Sequence, residues 1–402
     1  MPAGTDHKDM IETMYVPEPF MEAEDSEFTL GERQSFHKID NQYGGQLGLY
    51  YGNTEVQEGI LAHQHAAERL YYEKPHLFNA LAASAILQKH VTRTPLVPAT
   101  DAGTQEIFVK QEYLQQGKSF KDRGAAYAAL QLSDAEKVFG LKTTSHGNHG
   151  NGLARIGKEL GVPVAVYVPA DAAACKTANM EVNGAEVVRV GKTYEEAELA
   201  CVNPDGRHAD ARLVRAFNDQ DVMTGQSSIV VDIVEQVPDV QTLVVPIGGG
   251  GLISKLSAAF KEYNPHGTVV GAVYAGNNSA RLSKEAGKIV NIGHGDPFSD
   301  GTELVEPGSE TFPYIQKYVD AVVEVSKESV SEAMARHFDT YGHRVEVAGM
   351  LATAAALENP GLLRGKTVTI ATGCNIDDAD WNEAMQAADR PDLYVGRVLQ
   401  RA

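Results

Sequence analysis

Four consecutive glycines are the most unusual chemical feature of this 402-residue sequence. Gly248, Gly249, Gly250 and Gly251 follow an apolar stretch and precede the apparent start of a helix. Residues without a Cβ let consecutive backbone N–H groups approach an anion, and a helix start adds the positive end of its dipole. The run therefore predicts a phosphate site, with a tight turn that binds nothing as the alternative.

A bound nucleotide is disfavoured at this glycine run. Ser254 stands where a Walker loop requires glycine before its lysine, and Ile253 stands where the dinucleotide fingerprint requires its third glycine. The predicted phosphate therefore belongs to another kind of ligand.

Two further turns contain residues that could take part in a reaction or bind a ligand. Lys121 lies in Gly117-Lys118-Ser119-Phe120-Lys121, before an Ala-rich helix. A lysine removed from water loses part of its preference for the charged form, so its amine can attack a carbonyl or move a proton. Taken alone, Lys121 is better interpreted as a solvated surface charge, because most lysines are exposed. Asn148 lies in a glycine-rich turn at residues 144–152, whose amides predict a site for a substrate carboxylate.

The segments around these turns alternate between strand-like and helix-like patterns, which predicts an α/β fold with a mostly parallel sheet covered on both faces. The predicted strands are residues 107–110, 164–168, 186–190, 242–247, 269–274 and 367–371. The predicted helices are residues 55–72, 125–130, 151–160, 175–182, 252–263 and 329–341.

Composition and charge narrow the class of protein. With 43% hydrophobic and 22% charged residues, the chain predicts one large or two medium globular domains. A net charge of −19 disfavours nucleic acid and anionic membrane surfaces as partners. Three scattered cysteines, the lack of a membrane-length apolar run and the acidic residues 1–9 predict a cytoplasmic protein.

A third turn, Ala371-Thr372-Gly373-Cys374-Asn375, completes a set whose order resembles the fold type II pyridoxal-phosphate enzymes. This family includes threonine and serine dehydratases, serine racemase, cysteine synthase and diaminopropionate ammonia-lyases. The resemblance extends from about residue 94 to residue 375. Other segments resemble the dehydratase branch, namely Thr94-Pro95-Leu96, Gly184-Ala185-Glu186-Val187, Phe217-Asn218-Asp219, Gly225-Gln226, Ser299-Asp300-Gly301 and Gly308-Ser309-Glu310-Thr311-Phe312-Pro313.

The resemblance implies pyridoxal 5'-phosphate as cofactor and a role for each matching residue. Lys121 would form the Schiff base and act as the base at the substrate α-carbon. Phe120 would pack against the ring, Asn148 would bind the 3'-oxygen, the four glycines would cradle the phosphate and Thr372 would face the pyridine nitrogen. Ser145, His146, Gly147 and His149 would contact the substrate. Cys374 is interpreted as a packed neighbour, and Lys118 and Lys142 match no motif.

His146 is the informative departure from the family pattern. Serine racemase and some dehydratases carry serine at this position, and diaminopropionate ammonia-lyases carry aspartate. An imidazole there could protonate a leaving group, take the α-proton of a D-amino acid, bind an acidic side chain, or only shape the loop. The segment 271–275 lacks the carboxylate that relatives of serine racemase use for a divalent cation, so we expect no metal site.

The resemblance also implies a domain division and an assembly. Residues 77–124 and 191–402 would form a large cofactor-binding domain, and residues 125–190 a small domain. Residues 1–76 would be an extension that covers the catalytic region, gates it or supports a homodimer. The segment after Asn375 is too short to form a regulatory domain, so we expect none there.

The sequence therefore predicts a lyase that removes a β-substituent from an amino acid such as serine, threonine, 3-hydroxyaspartate or diaminopropionate, giving a keto acid and ammonia. The alternatives are a β-replacement synthase, an amino-acid racemase or epimerase, and a non-catalytic protein that only binds the cofactor.

Overall fold

The structure is a computed structural model. It describes Val16, Phe20 and residues 66–99, 102–103, 105–145, 147–172, 174–204, 206 and 208–395. The predicted helix at residues 55–72 lies partly outside these ranges, and residues 66–73 are helical.

Within the described ranges, six strands form the larger of two sheets, in the order β1-β2-β10-β7-β8-β9. These strands are β1 (Leu96–Pro98), β2 (Ile107–Gln111), β7 (Val240–Pro246), β8 (Thr268–Tyr274), β9 (Ala321–Val325) and β10 (Lys366–Ala371). Of the neighbouring pairs described, β1 with β2 is antiparallel and the others are parallel. Strands β7 and β10 lie at the centre, so the two turns that follow them lie side by side.

The smaller sheet has four strands in the described part of the chain, in the order β5-β4-β3-β6. They are β3 (Leu141–Thr144), β4 (Val164–Val168), β5 (Glu186–Arg189) and β6 (Arg212–Leu213), and every described pair is parallel. The loop that carries Asn148 follows the carboxyl end of β3. Strand β6 lies beyond residue 190, where the sequence placed the end of the small domain. We keep the two-domain division as a proposal and place that end near residue 214.

Helices cover the sheets. They are α1 (Pro75–Leu87), α2 (Lys121–Leu130), α3 (Asp134–Phe139), α4 (Asn148–Leu160), α5 (Ala174–Val182), α6 (Tyr194–Val202), α7 (Gln220–Ser227), α8 (Ile229–Gln236), α9 (Ile253–Tyr263), α10 (Ser279–Ala286), α11 (Phe312–Tyr318), α12 (Lys327–Tyr341), α13 (Val347–Glu358) and α14 (Asp378–Ala387). In the ranges that the structure describes, no helix is long and apolar enough to cross a membrane.

The predicted elements correspond closely to the observed ones, because buried parallel strands are continuous apolar runs. Strand 164–168 is reproduced at both ends, and the other five predicted strands differ by one or two residues at their ends. The strands β1, β3, β6 and β9 were missed. Strand β3 reads Leu-Lys-Thr-Thr, and its polar residues are nevertheless buried, so its pattern gave no apolar run.

The described residues of the N-terminal extension pack against the large core. Val16 and Phe20 are buried in the hydrophobic cluster that contains Phe260, and the Phe20 ring lies 5.4 Å from that of Tyr263. Leu70, on the helical residues 66–73, joins the same cluster. These contacts agree with a covering role, and the gating and dimerisation roles stay predictions.

Candidate active site

One cavity of about 730 Å³ brings together the turns that the sequence singled out. Its lining includes Phe120, Lys121, Ser145, Gly147, Asn148, His149, Gly248, Gly249, Gly250, Gly251 and Thr372. Strands β7 and β10 of the larger sheet end at this cavity, because the carboxyl ends of parallel strands lie at the same edge of a sheet. Strand β3 of the smaller sheet also ends here, so the carboxyl edges of the two sheets meet at the cavity. His146 lies outside the described residues.

Lys121 is the first residue of α2, and its amine points to the loop after β6. The Nζ donates a hydrogen bond to the carbonyl oxygen of Ala216 at 2.7 Å. Burial lowers the pKa of Lys121 to about 8, although the nearby Glu346 carboxyl acts in the opposite direction. The Phe120 ring centroid lies 5.3 Å from Nζ, and the Phe120 N–H donates to the Thr372 carbonyl at 2.9 Å. The lysine therefore has an amine that is neutral in a substantial fraction of molecules near pH 8.

A buried ion cluster holds the first turn of α2 against the end of β2 and against α8. Arg123 donates to both oxygens of Glu112, at 2.8 and 2.9 Å, and to Asp232 at 2.6 Å. The Lys110 Nζ lies 3.1 Å from the same Asp232 oxygen and 2.6 Å from the Thr94 carbonyl. The positive charges of two cations thus balance the negative charges of two carboxylates in a region closed to water. Because Arg123 is two residues after Lys121, the cluster positions the lysine.

A helix crossing adds a second restraint on α2. A Cβ at Gly225 of α7 would lie 2.6 Å from the Arg123 carbonyl oxygen and 2.8 Å from the Gly124 Cα. Backbone atoms cannot move aside as a flexible side chain can, so glycine is required where α2 and α7 cross. The Gly225-Gln226 segment that the sequence associated with the dehydratase branch therefore has a packing function.

The glycine run has the hydrogen-bonding pattern of an anion site. In the part of the chain that the structure describes, the N–H groups of residues 248–252 donate to no protein acceptor. Their carbonyls differ, since Gly249 O accepts from Thr311 Oγ1 at 2.6 Å and Gly250 O accepts from Ser254 Oγ at 2.6 Å. Gly250 has φ +90, a conformation that favours glycine. Free N–H groups on a cavity wall, before helix α9, fit a phosphate.

The loop after β3 is organised by Ser145. Its Oγ accepts hydrogen bonds from the N–H groups of Gly147 at 3.2 Å and Gly150 at 3.1 Å. These bonds set the direction in which α4 begins with Asn148. The Asn148 Nδ2 lies 2.9 and 3.1 Å from the two carboxyl oxygens of Glu346.

His149 is buried at the wall of the cavity. One ring nitrogen, Nε2, lies 3.1 Å from the carbonyl oxygen of Val214, so Nε2 carries the proton. The other nitrogen, Nδ1, has no hydrogen-bond partner among the described residues. Burial lowers the pKa of His149 to about 3, and the Lys121 charge adds to this effect. The ring is therefore neutral over the physiological pH range.

The turn after β10 places Thr372 and Cys374 on the cavity lining. The described residues offer the Thr372 side-chain hydroxyl no hydrogen-bond partner, so it is available to a ligand. Burial raises the pKa of the Cys374 thiol to about 11, which keeps it protonated. Lys118 lines the cavity, whereas the Lys142 Nζ donates to the carbonyls of His208 and Ala209.

Sequence reasoning missed Glu346, which lies among these residues. It immediately precedes the apolar helix α13, and its side chain makes no capping bond to that helix. Burial raises the pKa of the Glu346 carboxyl to about 7, against the hydrogen bond from Asn148. A lone carboxylate at the start of an Ala-rich helix was the only signal in the sequence, and the spacing from Asn148 concealed their contact.

Comparison with known proteins assigns the chain to a family. The family model described as pyridoxal-phosphate dependent enzyme matches residues 87–373. An L-threonine ammonia-lyase from Geobacter sulfurreducens is 36% identical over 295 residues, which cover 72% of this chain and 73% of that protein. A serine racemase from Oryza sativa is 30% identical over 305 residues, which cover 75% of this chain and 87% of that protein.

Solved structures agree with this assignment. The processed form of threonine deaminase isoform 2 from Solanum lycopersicum superposes with a TM-score of 0.74 at 28% sequence identity. The match covers 79% of this chain and 89% of that structure. The two-sheet α/β architecture is thus shared with proteins of known structure over most of the chain.

Proposed function

Because the chain belongs to the family of pyridoxal-phosphate dependent enzymes, we propose that it is an ammonia-lyase that acts on a β-substituted amino acid. The cofactor is pyridoxal 5'-phosphate. One observation carries the proposal: the Lys121 amine and the free N–H groups of residues 248–252 line the same cavity. A reactive amine and a phosphate cradle are the two features that this cofactor requires.

The remaining residues of the cavity fit the cofactor in their chemistry. Asn148 has amide hydrogens for an oxygen acceptor, and the Thr372 hydroxyl is available to a ring nitrogen. A hydroxyl partner does not hold a pyridine nitrogen protonated as a carboxylate would, and this weaker electron withdrawal favours elimination over transamination. Phe120 supplies an apolar ring surface.

Lys121 performs the proton transfer in the proposed reaction. Bound pyridoxal phosphate supplies an electron sink for the α-carbon of the amino acid. Lys121, in its neutral form, takes the α-proton, and its pKa near 8 makes that form accessible at physiological pH. The β-substituent departs with the bonding electrons; a departing hydroxyl takes a proton and leaves as water. Addition of water to the released product gives a keto acid and ammonia.

Racemisation is the second candidate, supported by the serine racemase from Oryza sativa. It requires a base on the face opposite Lys121. His149 and Cys374 are unsuited to that task, since His149 is a very weak base and the thiol stays protonated. His146 is the candidate for this base that the sequence offers.

The test is incubation in deuterated buffer, followed by proton NMR. The substrates are the L- and D-forms of serine, threonine, 3-hydroxyaspartate and 2,3-diaminopropionate. Keto acid formed by the wild type and not by Lys121→Ala would support the lyase and identify the leaving group. Exchange of the α-proton without keto acid would contradict the lyase for this panel and support racemisation or replacement.

The matched control is Lys118→Ala, since Lys118 lies in the same turn. We expect this variant to keep the visible absorption band of the lysine-bound cofactor, which Lys121→Ala should lose. A band that survives in Lys121→Ala would overturn the assignment of the lysine. A band without turnover of any amino acid would support a non-catalytic binding protein.

We also propose that the protein is a cytoplasmic homodimer. The three scattered cysteines support the location, because they fit a reducing compartment better than a disulfide framework. Sedimentation of the full chain would test the dimer, and removal of residues 1–75 would test whether the extension contributes to it.

A further inference from the structure

Three polar side chains form a hydrogen-bonded chain at one end of the cavity. The Asn375 Nδ2 donates to the Asn148 Oδ1 at 2.6 Å and to the Gly117 carbonyl at 3.1 Å. The Asn148 Nδ2 in turn donates to Glu346, whose two oxygens lie at 2.9 and 3.1 Å. The chain links the turn after β10, the start of α4 and the residue before α13.

This arrangement determines which way the Asn148 amide faces. An ionised carboxylate only accepts hydrogen bonds, so the nitrogen of Asn148 must face Glu346 and its oxygen must face Asn375. One N–H of Asn148 is shared between the two carboxyl oxygens. Because the amide group is planar and held at both ends, the direction of its second N–H is fixed. That N–H is the one left for a ligand in the cavity.

The turn after β10 is built to bring these groups together. The Glu346 N–H donates to the Gly373 carbonyl at 3.0 Å. A Cβ at Gly373 would lie 2.4 Å from the Glu346 Oε1, so a side chain there would displace the carboxyl. The close approach of Gly373 therefore serves the position of Glu346.

We propose that Asn375 and Glu346 are positioning residues that hold the Asn148 amide toward the 3'-oxygen of the cofactor. The proposal rests on the proposed function, since it takes Asn148 as the residue that contacts the cofactor. Asn375 acts through its side-chain donor, and Glu346 acts through its negative charge. Neither residue needs to touch the cofactor itself.

Charged and titratable groups surround Glu346 from several elements. Lys121 faces it from α2, Asp300 from the turn at residues 297–302, and Cys374 from the turn after β10. As the pH falls below about 7, the Glu346 carboxyl gains a proton, and one of its oxygens becomes a donor that no longer attracts the Asn148 N–H. The hold on Asn148 should then weaken, so a step near pH 7 is expected in the cofactor's absorption spectrum.

The experiment is a spectrophotometric titration of apoenzyme with pyridoxal phosphate between pH 5.5 and 9. We compare wild type with Asn375→Asp, Asn375→Ala and Glu346→Gln. Asn375→Asp replaces the donor that faces the Asn148 oxygen with an acceptor, and Asn375→Ala only removes it. We expect about a tenfold loss of cofactor affinity for both, the scale of one buried hydrogen bond, and a shifted absorption band.

Glu346→Gln keeps the size of the side chain and an oxygen that accepts from Asn148. It should remove the step near pH 7 from the absorption titration. The control is Asn359→Asp, which makes the same amide-to-acid change at the end of α13 and should leave affinity and spectrum unchanged. Because Asn375→Asp could fail to fold, thermal melting without cofactor accompanies each titration, and Asn375→Ala serves as the second variant.

Two results would overturn the inference. One is wild-type cofactor affinity in Asn375→Ala, and the other is an unchanged pH profile in Glu346→Gln. A failure of the proposed function would appear differently: wild-type protein that shows the absorption band but forms no keto acid would contradict the lyase, and wild-type protein without the band would contradict cofactor binding. Spectra and turnover measured on the same samples therefore distinguish these failures from a failure of the inference.

Discussion

Neutralising Glu112 should destabilise the protein, and the size of the loss follows from the geometry of the buried ion cluster. The Glu112 carboxyl lies 2.8 Å from the Arg123 Nε and 3.8 Å from the Lys110 Nζ. For an effective dielectric constant near 20, the attraction is about 6 kcal/mol at the shorter distance and about 4 kcal/mol at the longer one. Glu112→Gln relieves the cost of burying a carboxylate but leaves one cation without a partner. We expect the free energy of unfolding to fall by about 3–5 kcal/mol.

Urea denaturation followed by tryptophan fluorescence would measure this loss. Trp381 is the single tryptophan, and it is buried in the same hydrophobic cluster as Tyr113, the residue after Glu112. Its emission therefore reports unfolding of the region next to the ion cluster. Substrate turnover by the same samples would report whether Lys121 has moved, since Arg123 belongs to the same helical turn.

A second substitution tests whether charge balance is the cause. Glu112→Gln combined with Lys110→Met leaves one cation, Arg123, and one carboxylate, Asp232. The double variant should regain about half of the lost free energy, because no buried charge is then unpaired. A loss below about 1 kcal/mol for the single variant, or a double variant no more stable than the single one, would refute the reasoning.

Three further expectations follow from burial and close contacts. Apoenzyme should recombine with pyridoxal phosphate faster as the pH rises through about 8, because the neutral amine of Lys121 is the reacting form. Stopped-flow absorption measures this rate, and a rate that rises only near pH 10 would contradict the expectation. Gly249→Ala should weaken cofactor binding about tenfold, since its Cβ would lie 2.4 Å from the Phe217 ring; equal affinity in an equilibrium titration would argue against the cradle. Phe20→Ala should lower the free energy of unfolding by about 3 kcal/mol, because the Phe20 ring is buried. Tyr72 is 70% exposed, so Tyr72→Ala should change this free energy by less than about 0.5 kcal/mol. Similar losses for the two variants in urea denaturation would disprove a covering role for the extension.

Local pattern predicted most of the secondary structure that carries the site. Strand β4 is wholly apolar, β7 and β8 are mostly apolar, and β10 alternates threonine with Val368 and Ile370 before Ala371; all four are buried over most of their length. Strand β3 was missed because Lys142 and two threonines interrupt its pattern. Its lysine is buried only because carbonyls of residues 208 and 209 accept from it, a contact between distant segments.

The sequence indicated some residues of the candidate site and missed others. Those it indicated stand in turns whose residue types suggest a chemical role, namely Lys121, Asn148, the glycine run and Thr372. Glu346 carries no such local signal, and Asn375 stands in the same turn as Thr372 but nothing in that turn indicates its contact with Asn148. Glu346 is separated from Asn148 by 198 positions, and Asn375 by 227, so only the fold brings these side chains within hydrogen-bond distance.

The sequence by itself determined the family, the cofactor, the alternation of strands and helices and the turns that meet at the cavity, because these depend on residue types within a few positions of one another. Tertiary structure alone decided the burial that lowers the pKa of Lys121, the ion cluster that holds α2 and the contacts that orient Asn148. Burial and hydrogen bonding between distant segments depend on how the two sheets pack, and a linear pattern contains no measure of that distance.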